Sequence, residues 1–302
     1  YNLIVNIAMV LDTSGSMDWD LNGNTIKTGS STLSRIDILQ TQVAALIDMF
    51  ADNDNADVNI NISLVPFGSY AKTPSSFYNV KNSSEKSQLK NILNNLTASG
   101  STNTGDGLRR AYYQLDTKSR SDMAGAGADT IVKNYTIILV DGVTNTHSMK
   151  NASSTSTSIG CIKWNSRGVC TKTGNVTTTT WQQQYYTESA TVGNCTFTPT
   201  STGCTPGYVW GNDGNSTSNE YVNQMGARLS DSSFVENYLV SFAMSKTTSQ
   251  ISFIATATTT PEDRIYYATD ADSLGLSFTE IQMSINNELW RFLGPKLEEG
   301  AE

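Results

Sequence analysis

The chain predicts an α/β fold: a doubly wound, mostly parallel sheet wrapped by helices, with one disulfide-containing insertion. Two apolar runs, 5–12 (VNIAMVLD) and 135–141 (YTIILVD), are nearly continuous, and each ends in an acid. Continuous apolar runs mark strands buried on both faces, the situation of a parallel sheet covered by helices. Segments of helical periodicity lie between the strand-like runs, and that alternation builds such a sheet. The pattern breaks once, from Asn145 to about Asn219, where all four cysteines occur.

Taken in order, 5–12 is the first strand. A helix over 35–51 follows from Ile36, Leu39, Val43, Leu46, Ile47 and Phe50 at helical spacing. Residues 59–67 (NINISLVPF) alternate, with Ile60, Ile62 and Leu64 opposite Asn59 and Asn61. They read as a second strand that ends at Pro66 or lies at a sheet edge. Leu89, Ile92, Leu93 and Leu96 predict a helix over 85–96. A helix over 105–115 follows Thr104, which can cap it. Strands come next at 135–141, 238–243 (YLVSFA) and 265–268 (IYYA). Leu276, Phe278, Ile281, Ile285, Leu289 and Phe292 predict a terminal helix over 274–293.

One domain thus spans 1–302, with a Ser/Thr/Asn-rich insertion at about 148–219 inside it. Its Trp164, Trp181, Tyr185, Tyr186, Tyr208 and Trp210 are too many for a disordered linker. A structureless loop of that length is improbable in a compact domain, so partial order from disulfides and aromatic packing is expected. Cys161, Cys170, Cys195 and Cys204 form two local pairs of equal spacing, neither of them C-x-x-C and neither accompanied by a His. Disulfides Cys161–Cys170 and Cys195–Cys204 are the simplest reading. Four cysteines allow three pairings, free thiols are the alternative, and sequence does not choose. Disulfides would imply an oxidising compartment.

Composition removes several function classes. A net charge of -8 argues against a nucleic-acid binder that works by phosphate neutralisation. A single histidine, His147, excludes zinc sites built from several His. Lying in a loop, it reads as a surface residue. No apolar run is long enough to span a bilayer. The sequence opens at Tyr1 directly in a strand-like run and reads as an excised soluble region, so any targeting segment or membrane anchor would lie outside it.

The chemistry concentrates at strand ends. Asp12-Thr13-Ser14-Gly15-Ser16 sits where the first buried strand stops, and its alternate side chains can converge above the carboxyl edge of the sheet. Gly100-Ser101-Thr102-Asn103-Thr104-Gly105-Asp106-Gly107-Leu108 leads into a helix, and Asp141-Gly142 ends another core strand. Together they supply two carboxylates and three hydroxyls. Such a hard, all-oxygen set suits Mg²⁺, Mn²⁺ or Ca²⁺, and an incompletely neutralised cation attracts an external carboxylate. Thr104 and Asp106 read better as helix cap and first-turn acid than as ligands. Asp18 and Asp20 read as solvated acids, and 52–57 and 212–215 as polar turns.

Asp12-x-Ser14-x-Ser16, then Thr102, then Asp141 resembles the metal-ion-dependent adhesion site (MIDAS) of von Willebrand factor type A domains. The resemblance covers about 1–145 and 220–302. It implies the Rossmann-like fold of that family, with Ser14, Ser16 and Thr102 binding Mg²⁺ (or Mn²⁺/Ca²⁺) directly. Asp12 and Asp141 would bind it directly or through water, leaving one position for a Glu or Asp of a protein partner. VLDTSGSM, GSTNTGDGL and the late set Tyr266, Tyr267, Ala268, Leu274, Phe278 and Ile281 are most similar to the TadG-like group of tight-adherence (Flp/Tad) pilus-assembly proteins. The implied function is metal-dependent protein binding and adhesion in the bacterial cell envelope, in pilus assembly or anchoring. Alternatives are a secreted or pilus-tip adhesin for a host or matrix protein, and a structural envelope protein with a purely stabilising metal. Expected partners are pilus or envelope components, with no nucleic acid and no membrane contact except through a segment outside this chain. The expected location is the periplasm, cell surface or exterior. Catalysis is not expected: Ser14 lies outside a Gly-x-Ser-x-Gly elbow and has no base placed for it.

Overall fold

The computed structural model describes residues 2–200, 203–231, 235–245 and 249–293. The chain divides into two units. The first holds Tyr1–His147, Thr187–Thr191 and Trp210–Glu302, and the second Ser148–Tyr186 and Val192–Val209.

The first unit is the predicted α/β body. Along the chain run β1 (Asn2–Asp12), α1 (Arg35–Ala51), β2 (Val58–Phe67), β3 (Tyr78–Asn79), α2 (Ser83–Asn94), α3 (Thr104–Ala124) and β4 (Thr130–Val140). After the excursion through the second unit come α4 (Ser216–Asp231), β8 (Val235–Phe242), α5 (Ser249–Ala257), β9 (Ile265–Ala268) and α6 (Ala271–Leu293), the labels β5 to β7 belonging to that excursion. The sheet order is β3-β2-β1-β4-β8-β9. Every pairing is parallel except β2 with the two-residue β3. The order reverses between β1 and β4, so the crevice at their carboxyl ends is the topological switch point where ligands bind in open α/β sheets.

Leu3, Val5, Ile7, Met9 and Leu11 of β1 are fully buried in one cluster with α1 and α6 residues such as Leu39, Leu46, Phe278 and Ile285. Burial of each such side chain stabilises by about 1.5–3 kcal/mol. On the opposite face, α3 lies close because Gly107 has no side chain. A Cβ there would fall 2.7 Å from Phe67 Cδ1 and 3.0 Å from Val10 Cγ1.

This coverage reaches both faces of β2: its apolar residues alternate with polar ones, yet both Asn61 and Ser63 are buried. Asn61 donates to Asn6 Oδ1 at 3.1 Å, and Asn6 donates to Asn134 Oδ1 at 3.1 Å and to Asp122 of α3 at 2.7 Å. The polar row is paired within itself and with α3, which removes the penalty of burying it. The strand ends at Phe67, one residue past Pro66, as the proline led one to expect. Pro66 sits beyond the Asn61–Ile62 stretch that pairs with β3, so no ladder bond from its nitrogen is needed.

Helices α4 and α5 had no counterpart in the sequence reading. Tyr221, Val222, Met225 and Leu229 bury one face of α4, which begins at Ser216, inside the span read as insertion.

The second unit is built on a ribbon, β5 (Thr146–Trp164) against β6 (Cys170–Tyr185), with β7 (Gly207–Trp210) on the other side of β5. Both cysteine pairs are bonded, Cys161 to Cys170 and Cys195 to Cys204. Aromatic packing is less than expected. Tyr186 and Phe197 are buried, but Trp164 and Trp181 are exposed. Ser and Thr occupy both faces of the ribbon, so alternation buries neither face and the strands leave no apolar period to read.

Candidate metal centre

Asp12 ends β1 and Asp141 follows β4, so the two carboxylates flank the switch point. Asp12 is wholly buried, and its Oδ1 accepts the Ser14 main-chain N–H at 2.8 Å. Ser14 Oγ lies 3.1 Å from Ser16 Oγ, and Ser16 Oγ donates to Asp141 Oδ1 at 2.9 Å. The Asp141 N–H faces Asp12 Oδ2 at 3.5 Å. Four of the five predicted residues thus form one connected hydrogen-bonded run.

Thr102 stands apart from that run but is fixed beside it by its main chain. Its N–H donates to Asn145 Oδ1 at 3.0 Å. Its carbonyl accepts from Asn145 N, Thr146 N and Thr144 Oγ1, all in the segment after Asp141. The neighbouring loops are stitched the same way. Gly15 N donates to Gly100 O at 2.8 Å, Ser99 N to Thr13 O at 2.8 Å and Asn103 N to Gly68 O at 2.9 Å. Gly100 adopts φ 81°, and a Cβ there would strike Ser69 Oγ at 2.5 Å, so both conformation and space require glycine.

Several neighbouring residues take roles the sequence did not assign. Asn103, not Thr104, caps α3 by accepting from Asp106 N at 3.1 Å. Thr104 is the first helical residue, and its buried hydroxyl has no hydrogen-bond partner among the described residues. Asp106 is more than a first-turn acid. Fully buried, it accepts from Arg109 Nε at 2.8 Å, Tyr221 OH at 3.2 Å and Ala71 N at 2.6 Å. His147 is buried rather than on the surface, with Nδ1 3.1 Å from Ser218 Oγ. Burial holds its pKa below the ordinary value, with Asp213 acting weakly the other way. Asp20 closes a turn, accepting from the main chain of Asn22 and Asn24. The carbonyls of Asn55 in the 52–57 turn and of Val58 at the start of β2 accept from the Lys81 ammonium.

The residue most plainly missed is Arg35. A capping box between Ser34 and Asp37 starts α1 and sets Arg35 at its first position. There Arg35 Nη1 lies 2.9 Å from Asp141 Oδ2 with both side chains buried, and Nε donates to Asp20 O at 3.1 Å. A Ser-Arg-x-Asp start to a helix after a strand-end site was the available signal, but nothing in the spacing linked it to position 141.

The electrostatics suit a cation. Burial, and then the charge of Asp141, push the Asp12 carboxyl well above the usual carboxylate range, with Ser14 pulling weakly the other way. Two carboxylates at one point favour a proton or a cation between them. Arg35 supplies one positive charge to Asp141, and a hard divalent ion would more than balance the one negative charge that remains. Among the described residues there is no cluster of three or more His, Cys, Asp or Glu side chains fit for a metal. The donor set here is instead two carboxylates with hydroxyls, which fits Mg²⁺ or Ca²⁺ and not zinc.

The fold recurs in solved pilus proteins. The minor pilin PilB from Streptococcus sanguinis matches with TM-score 0.62 and 22% identity over 97% of this chain and 63% of its own. The pilus adhesin SpaC from Lactobacillus rhamnosus GG matches with TM-score 0.54 and 17% identity over 93% of this chain and 30% of its own. The vWF domain of the type V pili tip protein Mfa5 from Porphyromonas gingivalis gives 0.52 and 14% over 95% and 96%. The chain therefore spans less than two thirds of the length of the PilB and SpaC chains it matches. No curated protein sequence matches it. The von Willebrand factor type A domain family matches residues 6–180, more than half of the sequence, and the chain belongs to that family.

Proposed function

We propose that this chain is a non-catalytic, metal-dependent protein-binding module on a bacterial surface, of the kind found at a pilus tip. The observation that supports this most is the connected run Asp12, Ser14, Ser16 and Asp141 at the switch point between β1 and β4. Ser14, Ser16 and Thr102 would hold a divalent cation directly, and Asp12 and Asp141 directly or through water. When bound, such a cation supplies an electrophilic position for a partner's Glu or Asp carboxylate. The loops stitched through Gly15, Gly68 and Gly100 would hold these side chains together at the strand ends. Arg35 neutralises part of the charge on Asp141, so a bound cation would remain attractive to an incoming carboxylate.

The solved structures it resembles are pilus adhesins and a minor pilin, which favours a surface or pilus-tip adhesin over tight-adherence assembly. Two disulfides fit an exterior or periplasmic location. The test is a crystal grown with Mn²⁺ and a glutamate-bearing peptide, read by anomalous scattering. A peak bounded by Ser14, Ser16, Thr102 and the two aspartates, with a peptide carboxylate on it, is expected. A peak elsewhere, or a shell closed entirely by this chain's own atoms, would contradict the reading.

A further inference from the structure

We propose that the tip of the β5–β6 hairpin is a second binding site, for an acidic polypeptide segment that also carries apolar side chains. The site lies within the second unit and is independent of the metal centre.

The tip is fixed in shape. The Cys161–Cys170 disulfide closes a ring around the turn. Inside it, Asn165 Oδ1 accepts from Arg167 N at 2.9 Å and Val169 N at 3.0 Å, and Asn165 N donates to Val169 O at 3.0 Å. Gly168 at φ 72° lets the turn close. Yet this rigid ring encloses no core. Ile162, Trp164 and Val169 are 49%, 61% and 58% exposed. A cross-linked loop whose apolar side chains point outward has no packing to protect. What rigidity supplies there is a lower ordering cost on binding.

The charge is equally one-sided. Lys150, Lys163, Arg167 and Lys172 are the only charged residues of the second unit, and all 28 acidic residues of the chain lie in the other unit. Three of those four cations sit at the tip, interleaved with the exposed apolar groups. They therefore favour a negatively charged partner even though the chain as a whole is acidic.

Apolar and basic groups together select among anionic partners. A sulfated or carboxylated glycan would satisfy the cations and could stack on Trp164, but it would leave the aliphatic Ile162 and Val169 in water. A bilayer is the poorer match, because the turn between the apolar groups, Asn165-Ser166-Arg167-Gly168, is all polar or small. An acidic segment with interspersed apolar residues satisfies both sets, with Trp164 as the anchor expected of an interface centre.

The test uses the full chain in EDTA, so that carboxylate capture at the metal centre cannot contribute. Its affinity is measured for a random glutamate–tyrosine copolymer, polyglutamate, heparin and phosphatidylglycerol vesicles. The copolymer should bind at least about tenfold more tightly than polyglutamate, and Trp164→Ala should erase that difference. The triple variant Lys163→Glu, Arg167→Glu, Lys172→Glu should lower affinity for both polymers by about tenfold or more, with unchanged circular dichroism. No copolymer binding, equal affinity for the two polymers, an unaffected Trp164→Ala variant, or tighter binding to heparin or vesicles would each overturn the proposal.

Discussion

Arg35 and Asp141 form a buried ion pair, Nη1 to Oδ2 at 2.9 Å, across the mouth of the candidate metal centre. The helix that carries Arg35 and the strand that delivers Asp141 are 106 residues apart in sequence. The pair therefore ties the loop after β1 to the end of β4 whether or not a cation is bound. Removing one member of a buried pair leaves the other uncompensated, at about 3–5 kcal/mol. Arg35→Met should lose that much stability by urea unfolding in EDTA. Part of the loss should return in millimolar Mg²⁺, because a bound cation also neutralises Asp141. A loss below about 1 kcal/mol, the size of an exposed pair, would contradict this.

A second arginine should matter as much, at a different place. Arg109 is fully buried, pairs with Asp106, and donates to the carbonyls of Glu188 and Ala190. Tyr113 and Arg228 both hold the carbonyl of Thr187. The 187–191 strap is thus pinned to α3 and α4 by three side chains. Arg109→Ala should destabilise by about 3–5 kcal/mol and open the strap to limited proteolysis near Glu188 at native temperature. Cleavage no faster than in wild type would show the strap is held by something else.

The α4–α5 contact depends on a missing side chain. A Cβ on Gly226 would lie 2.6 Å from the Ala257 carbonyl oxygen, which belongs to backbone and cannot swing away. Gly226→Ala gains helix propensity but overpacks, and the net expectation is a loss of about 1–3 kcal/mol. Thermal unfolding of the variant decides it, and an unchanged or raised Tm would mean the two helices separate freely.

The buried His147 gives a pH signature. Burial lowers its folded-state pKa, so the native state favours the neutral ring. The group therefore contributes its full stability above the unfolded pKa, about 6.5, and loses it as pH falls through the lower folded value. The wild-type Tm should decline below about pH 6.5, and His147→Gln should decline less over the same interval. Among the groups that face it, the Ser218 hydroxyl does not titrate there and Asp213 is already ionised. Parallel Tm profiles for the two proteins would contradict the assignment.

Much of this fold was legible because its central strands are buried on both faces. The runs ending at Asp12 and Asp141 left no other assignment, and the positions of those two acids followed from the strand ends. What stayed hidden were features set by tertiary partners. Nothing in the spacing links Asn6, Asn61 and Asn134, and only the assembled sheet under α3 makes them a buried, hydrogen-bonded row. Arg35 gains its role by meeting a residue far along the chain. The β5–β6 ribbon buries neither face, so its Ser and Thr runs show no periodicity even though each strand exceeds fifteen residues. Helix α4 was overlooked although Tyr221, Val222, Met225 and Leu229 already had helical spacing, because it opens inside a polar stretch.

The central claim is that the strand-end oxygens form a cation site. Calorimetric titration of EDTA-stripped protein with Mg²⁺ and with Ca²⁺, on wild type and on Asp12→Ala, tests it most directly. The account predicts saturable binding at one site in wild type, lost in the variant while its circular dichroism is retained. Absence of binding at millimolar ion, or equal binding by both proteins, would contradict it.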